Sequence, residues 1–226
     1  MVRSTKEKRK TEPRLGRRSA DQASPGANDL ARIALDLFAE RHFASVTIRD
    51  ISRAAGINSA MIYYYYESKE QLFRAAIENA IDEAFELFSS HSDSKNYDNA
   101  ADAIGAWFDV HVVLHKRLRN VVKISLDLKG LMEILPDANE PVERFYRHEG
   151  EILEKFIREG IEKGIFRNVE PAAVATMISA SLDGVLARSL ILDDFDMTGT
   201  VAEFKKTLWL HLGYDVEKRT LRQNSV

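Results

Sequence analysis

The chain has 226 residues, with 32 Lys and Arg against 35 Asp and Glu, a net charge of −3 at pH 7 and no Cys. The lack of Cys excludes a disulfide scaffold, a thiol nucleophile and any cysteine-ligated zinc or iron–sulfur centre. With 45% hydrophobic and 30% charged residues, the composition fits a soluble globular protein with a sizeable core, and the net charge taken alone disfavours nucleic-acid binding.

The charge is unevenly placed. Residues 1–27 hold eight basic and three acidic residues, a charge of +5, which leaves −8 for the rest of the chain. This first segment has few large apolar residues and is interrupted by Pro13, Gly16, Pro25 and Gly26. It cannot bury enough surface to offset its ordering entropy, so the composition predicts a disordered basic arm over 1–28. Such an arm either solubilises the protein or lies along DNA phosphates. It lacks the apolar run of a secretory signal. The longest uncharged stretch further on, Pro171 to Leu182, is shorter than a membrane span. A cytoplasmic protein without a membrane segment is expected.

From residue 29 the apolar spacing is helical nearly everywhere, and no period-2 strand appears. A first helix is predicted over 29–41, capped by Asn28 or Asp29. A second starts at Thr47, whose hydroxyl can bond the Asp50 N–H while Asp50 reaches back, a capping box with Asp in place of Glu. Gly56 ends it. Asn58 caps a third helix running to Tyr65. Ser68, with Gln71 three residues on, opens a fourth over 69–89. Further helices are predicted at 99–115, 117–130, 141–163, 171–191 and 198–212. The fold class is all-α.

Ile51 to Tyr65 reads I-S-R-A-A-G-I-N-S-A-M-I-Y-Y-Y. Two short helices around a glycine turn, with Ile51, Ala55, Ile57 and Ile62 on their facing sides, have helix-turn-helix spacing. The start of the second helix is then offered to a major groove, with Asn58, Ser59, Ala60 and Met61 nearest the bases. Helical phase divides the run Tyr63–Tyr66. Ile62 and Tyr66 face the core, while Tyr63 and Tyr64 point outward, where their hydroxyls can bond phosphate. Lys69, in the first turn of the next helix, is a further candidate for a phosphate site.

Residues 30–77 resemble the N-terminal domain of the tetracycline-repressor (TetR) family of bacterial regulators. The matching segments are A-L-D-L-F-A-E-R at 34–41, T-I-R-D-I-S-R-A-A-G-I at 47–57, I-Y-Y-Y-Y at 62–66 and S-K-E-Q-L-F at 68–73. The resemblance implies phosphate contacts from Thr47, Tyr64 and Lys69. It also implies a base or phosphate contact from Arg49, and a recognition surface of Asn58, Ser59, Ala60, Met61 and Tyr63. Three positions depart from the family pattern. His42 stands where Gly is usual, Ser52 where Ala is usual, and Met61 where Thr is common, so the operator cannot be borrowed from relatives.

The resemblance further implies a three-helix DNA-binding domain at 29–74 and a helical-bundle ligand-binding and dimerisation domain at 75–226. The last two helices would pair with their copies in a homodimer. Val201, Phe204, Leu208, Trp209 and Leu212 are the candidate interface, and in a monomer the same stripe would be core. Trp107, Phe108, His111, His115, Met132, Phe145, His148 and Met177 are candidates to line an effector pocket, since they mix apolar walls with few polar groups. His111 and His115 are four apart, a metal-ligand spacing. No companion motif accompanies them, so a metal, a ligand contact and structural histidines all remain open. Neither paired carboxylates at informative spacing nor a phosphate-cradling glycine loop marks an enzyme. The expected protein is a regulator without a cofactor, a homodimeric repressor that binds a palindromic DNA operator and is released by a small molecule. The alternative is a DNA-binding regulator without such an effector, gated by a partner protein or architectural.

Overall fold

Leu30, Ala34, Leu35 and Phe38 recur every three to four residues and are at most 1% exposed. They give the first helix, α1 (Ala27–Arg41), its buried face in the computed structural model, which describes residues 25–93, 99–128 and 137–215. The helix begins two residues earlier than its polar residues suggest. Gly26 is the N-cap, and its N–H donates to Asp29 Oδ2 at 3.1 Å. A 3-10 turn at Phe43–Ser45 leads to α2 (Ile48–Ala55), α3 (Ser59–Tyr65) and the long α4 (Lys69–Asp93). Then come α5 (Ala100–Val113), α6 (His115–Leu128), α7 (Glu140–Glu162), α8 (Pro171–Ile191) and α9 (Met197–Leu212). The described residues contain helices and no strands. Met132 and the arm up to residue 24 lie outside them.

The predicted capping box closes as expected. Asp50 N–H donates to Thr47 Oγ1 at 3.2 Å, and Thr47 N–H donates to Asp50 Oδ2 at 3.0 Å. Gly56 adopts φ +69° and turns the chain into α3. The Ser68 box is altered: Ser68 Oγ accepts from Gln71 N, but the Gln71 side chain accepts from Glu67 N rather than from Ser68.

Two cores share α4. Its first turns place Leu72, Phe73, Ala76 and Ile77 against α1, while Ala84 and Phe88 belong to a second core with α5, α7, α8 and α9. Val121, Ile124 and Val142, from α6 and α7, join the first core, so the apolar interior is continuous past residue 74. By length and composition α8 is the one described helix that could cross a membrane. It carries Asp183 and Arg188, however, and buries Ile178, Leu182 and Leu186 in the second core.

The proposed dimer stripe is a correction. Val201, Leu208, Trp209 and Leu212 are 0–7% exposed within the single chain, and Phe204 packs its ring 5.5 Å from Phe108. The stripe is core because α5, α8 and the Phe166 ring already cover it.

One carboxylate lies inside the second core. Glu149 is 2% exposed. Its Oε1 accepts from Trp107 Nε1 at 2.8 Å and its Oε2 from Ser179 Oγ at 2.5 Å, tying α7 to α5 and α8. Burial pushes its carboxyl up to about 7, the two hydrogen bonds oppose this, and the nearby Asp183 charge adds to it. Burial drives His111 the other way, down to about 4, against its bond to the Trp107 carbonyl.

Two outcomes follow from this packing. At the end of α7 the Phe166 ring lies on Gly160, where an added Cβ would meet Phe166 Cδ2 at 2.2 Å. Gly160→Ala is therefore expected to cost ~1–3 kcal/mol through overpacking, read as a lower urea midpoint; an unchanged midpoint would refute the contact. For Glu149 the folded protein binds the proton more tightly than the unfolded chain, so this group's contribution declines as pH rises from 4.5 through about 7. His111 acts oppositely, its contribution being lost as pH falls from 6.5 through about 4. Glu149→Gln removes the first trend and leaves the second. The stability of the variant minus that of the wild type should thus grow with pH across the Glu149 window, and a constant difference in urea melts would reject the buried carboxyl.

Candidate nucleic-acid interface and effector cavity

The α2–α3 unit presents one open face. Ile62 is fully buried and Tyr66 is 8% exposed, with the Tyr66 hydroxyl donating to the Ala27 carbonyl at 2.8 Å. Tyr63 and Tyr64 are 55% and 77% exposed, as their phase requires, and the Tyr64 and Tyr65 rings meet edge to face. Ala60 and Arg49 are exposed on the same pair of helices, and Arg49 forms no ion pair among the described residues. Arg41 and Arg53 are held by Asp50, at 3.7 and 3.4 Å. The Thr47 hydroxyl and N–H hold the Asp50 carboxyl below its ordinary value, and the two arginines add to this.

Several predicted contact residues also have work inside the domain. Asn58 Oδ1 caps α3 by accepting from Met61 N at 2.9 Å. Thr47 Oγ1 donates to Asp50 Oδ2 at 2.6 Å. Ser59 Oγ donates to Ser52 Oγ at 3.2 Å, and Ser52 Oγ donates to the Arg49 carbonyl. Instead of loosening the α2–α3 contact, Ser52 pins it. Lys69 points inward: its Nζ donates to the Phe43 and Val46 carbonyls at 2.9 and 3.0 Å and lies 4.0 Å from the Phe43 ring centroid. Two of its three N–H groups are thereby committed to closing the 3-10 turn.

His42 has φ +60° and ψ 150°, in the region where glycine is favoured. Its Nδ1 lies 2.9 Å from Asp127 Oδ2 on α6. Asn120 Nδ2, also on α6, donates to Asp36 Oδ1 on α1 at 2.9 Å.

The pocket candidates separate. His111 and Phe145 line a narrow cavity of about 20 Å³, together with Tyr146, Asp183, Val121 and Leu186. Phe145 and His148 line a larger open groove between α4 and α7, about 590 Å³ in volume. Trp107 lies in the core beside the cavity, its ring 5.0 Å from that of His111. Phe108 faces α9, and Met177 lies on the outer surface of α8, so neither joins the others. His115 begins α6 after the break at Leu114 and bonds the Val112 carbonyl through Nδ1. The two histidines are on different helices, and no group of three metal-ligating side chains occurs among the described residues. Sequence reasoning missed Glu149, Ser179, Tyr146 and Asp183. The available signal was a Glu at position 149 on the otherwise apolar seam of Val142, Phe145, Leu153 and Ile157.

Residues 32–76 match the family model for bacterial regulatory proteins of the tetR family. The HTH-type transcriptional regulator YfiR of Bacillus subtilis is 23% identical over 174 residues, covering 74% of this chain and 80% of that protein. The HTH-type transcriptional repressor KstR2 of Rhodococcus jostii is 38% identical over 71 residues, covering 30% of this chain and 35% of its own length. The structure of the ketosteroid transcriptional regulator KstR2 of Mycobacterium tuberculosis superposes with a TM-score of 0.60 at 21% identity, covering 86% of this chain and 96% of that one. Residues 32–76 thus carry the helix-turn-helix of tetR-family regulatory proteins, and the all-helical body behind them shares its fold with the KstR2 structure.

Proposed function

We propose that the protein is a homodimeric repressor that grips a palindromic operator and releases it when a small molecule enters the C-terminal bundle. The observation that carries this is the open face of α2 and α3, where Arg49, Ala60, Tyr63 and Tyr64 are exposed while Ile62 and Tyr66 anchor the unit from behind. Short side chains at the start of α3 let its backbone approach base edges, and the phenols and Arg49 reach phosphates. Two such units, related by a two-fold axis, would read half-sites about 34 Å apart. The dimer face that fits is the outer side of α8 and α9, where Met177, Ile191 and Leu210 are 37%, 76% and 80% exposed. Release needs an effector that favours one of two states, with a coupling of typically ~1–3 kcal/mol. The route from bundle to DNA domain runs along α4, which belongs to both cores, and through the α6 contacts to Asp36 and His42. The narrowness of the cavity favours a second reading, a regulator gated by a partner protein. Operator affinity that ignores every small molecule bound by the C-terminal bundle would support it.

On a duplex selected from a random pool by the wild-type protein, Arg49→Ala should reduce the salt slope of log K by about one. Tyr64→Phe should weaken binding to all sequences alike without changing that slope. Lys69→Ala should act mainly through folding, at a cost of ~1–3 kcal/mol for the carbonyls left unpaired. Fluorescence anisotropy against salt, paired with urea melts, separates the three. A Lys69→Ala protein of wild-type stability that has lost one unit of slope would return that lysine to the phosphate contacts. In sedimentation, Leu210→Glu should shift a dimer towards monomer, and a dimer that persists at equal concentration rejects this face.

A further inference from the structure

Glu149 and Asp183 form a carboxylate pair with no cation beside it. The Asp183 charge is close enough to raise the affinity of Glu149 for a proton, and neither carboxylate has an ion pair among the described residues. Every hydrogen bond they receive comes from a neutral group: Trp107 and Ser179 on Glu149, and the Tyr146 hydroxyl on Asp183 at 2.7 Å. A buried charge is normally paired, because desolvation costs several kcal/mol per ion.

The cavity that Asp183 lines also holds an unmet acceptor. His111 is 3% exposed, and its Nδ1 faces the Trp107 carbonyl at 3.0 Å. A carbonyl only accepts, so Nδ1 carries the proton and Nε2 is a bare acceptor that makes no hydrogen bond among the described residues. The cavity's aromatic walls are Phe145 and Tyr146, whose rings lie 5.4 Å apart, and the rest of the lining is mainly aliphatic; Phe85 lies 5.6 Å from Phe145 on the groove side. A ring nitrogen without a donor, carboxylates met only by neutral donors and two ring faces together match an ammonium group.

We propose that the effector of this bundle is an organic cation, an amine with an apolar body, whose ammonium is held at Asp183 and His111 within the field of Glu149. The proposal rests on the ligand-responsive reading above and specifies its chemistry. The way in is the groove between α4 and α7. Phe145 and Ile81 line both the groove and the closed cavity, so they are the partition between the two. Turning the Phe145 ring aside joins about 590 Å³ of open space to the buried His111 and the half-buried Asp183. The apolar body then lies against Phe85 and Phe145 in the groove.

The test uses the full chain and three matched series of ω-phenylalkyl compounds, with amine, alcohol or carboxylate heads on chains of two to six carbons. Binding is read by calorimetry and by tryptophan fluorescence, and release from the selected duplex by anisotropy. At least one amine should bind tenfold or more tightly than its alcohol, with the carboxylate weakest. Asp183→Asn and Glu149→Gln should each erase most of that preference while leaving alcohol binding nearly unchanged. Two variants are used because either may alter packing, and the retained alcohol affinity shows that the bundle is intact. Equal affinity for amine and alcohol throughout the series, or no binding by any amine, overturns the proposal. An alcohol or carboxylate that releases DNA where amines do not overturns the cation assignment alone. An amine that binds with the expected preference yet leaves DNA affinity unchanged confirms the site and defeats the ligand-responsive reading.

Discussion

The contact between α1 and the first turns of α4 governs the rest of the molecule. Phe38, Phe43 and Phe73 meet there with ring centroids 4.9–5.6 Å apart, in tilted and edge-on pairs that suit their quadrupoles. Lys69 caps the cluster from the polar side, with its ammonium on two carbonyls and over the Phe43 ring. Because Phe43 lies in the turn leading to α2, the cluster fixes where α2 and α3 stand relative to α4. The aim of α3 and the axis of α4 are therefore one geometric quantity. The far end of α4, near Ala84 and Phe88, is thus joined to α2 and α3 through one continuous helix and its packed side chains.

The features that sequence reasoning recovered are those settled within one or two helical turns. The Thr47–Asp50 box, the Gly56 turn, the Asn58 cap and the split between Ile62/Tyr66 and Tyr63/Tyr64 all depend on residues a few positions apart. Helix limits were legible where a signal was local. Proline opens α8 at residue 171, whereas the junction of α5 and α6 falls at Leu114, two residues from its expected place, with no glycine or proline to mark it. The first cap was missed because Gly26 offers no side chain, and only Asp29 folding back reveals it.

Long-range partners were not legible. Amphipathicity says that Val201, Leu208 and Leu212 are covered, but not whether by this chain or by a copy, and here α5 and α8 arrive first. Lys69 reads as a surface cation until Phe43, 26 residues earlier, is placed beside it. Ser52 reads as a weakened alanine until Ser59 arrives across the turn. Glu149 was the strongest missed sign. A charge on an apolar seam violates the pattern around it, and its partners Trp107 and Ser179 lie 42 and 30 residues away. Such violations of local consistency are where functional chemistry is expected to reside.

The residue after α1 has a mechanical meaning. A non-glycine residue at φ +60° and ψ 150° carries a conformational cost of order 1–3 kcal/mol, and the His42–Asp127 contact is what faces that cost. Backbone torsion after α1 and a polar contact to α6 are thus coupled in opposition, like a latch closed against a spring. Loss of the Asp127 contact would cost the energy of that bond while letting the torsion relax, so the two terms offset one another. A glycine at this position would carry no such torsional cost and would leave α1 and α6 without this tie.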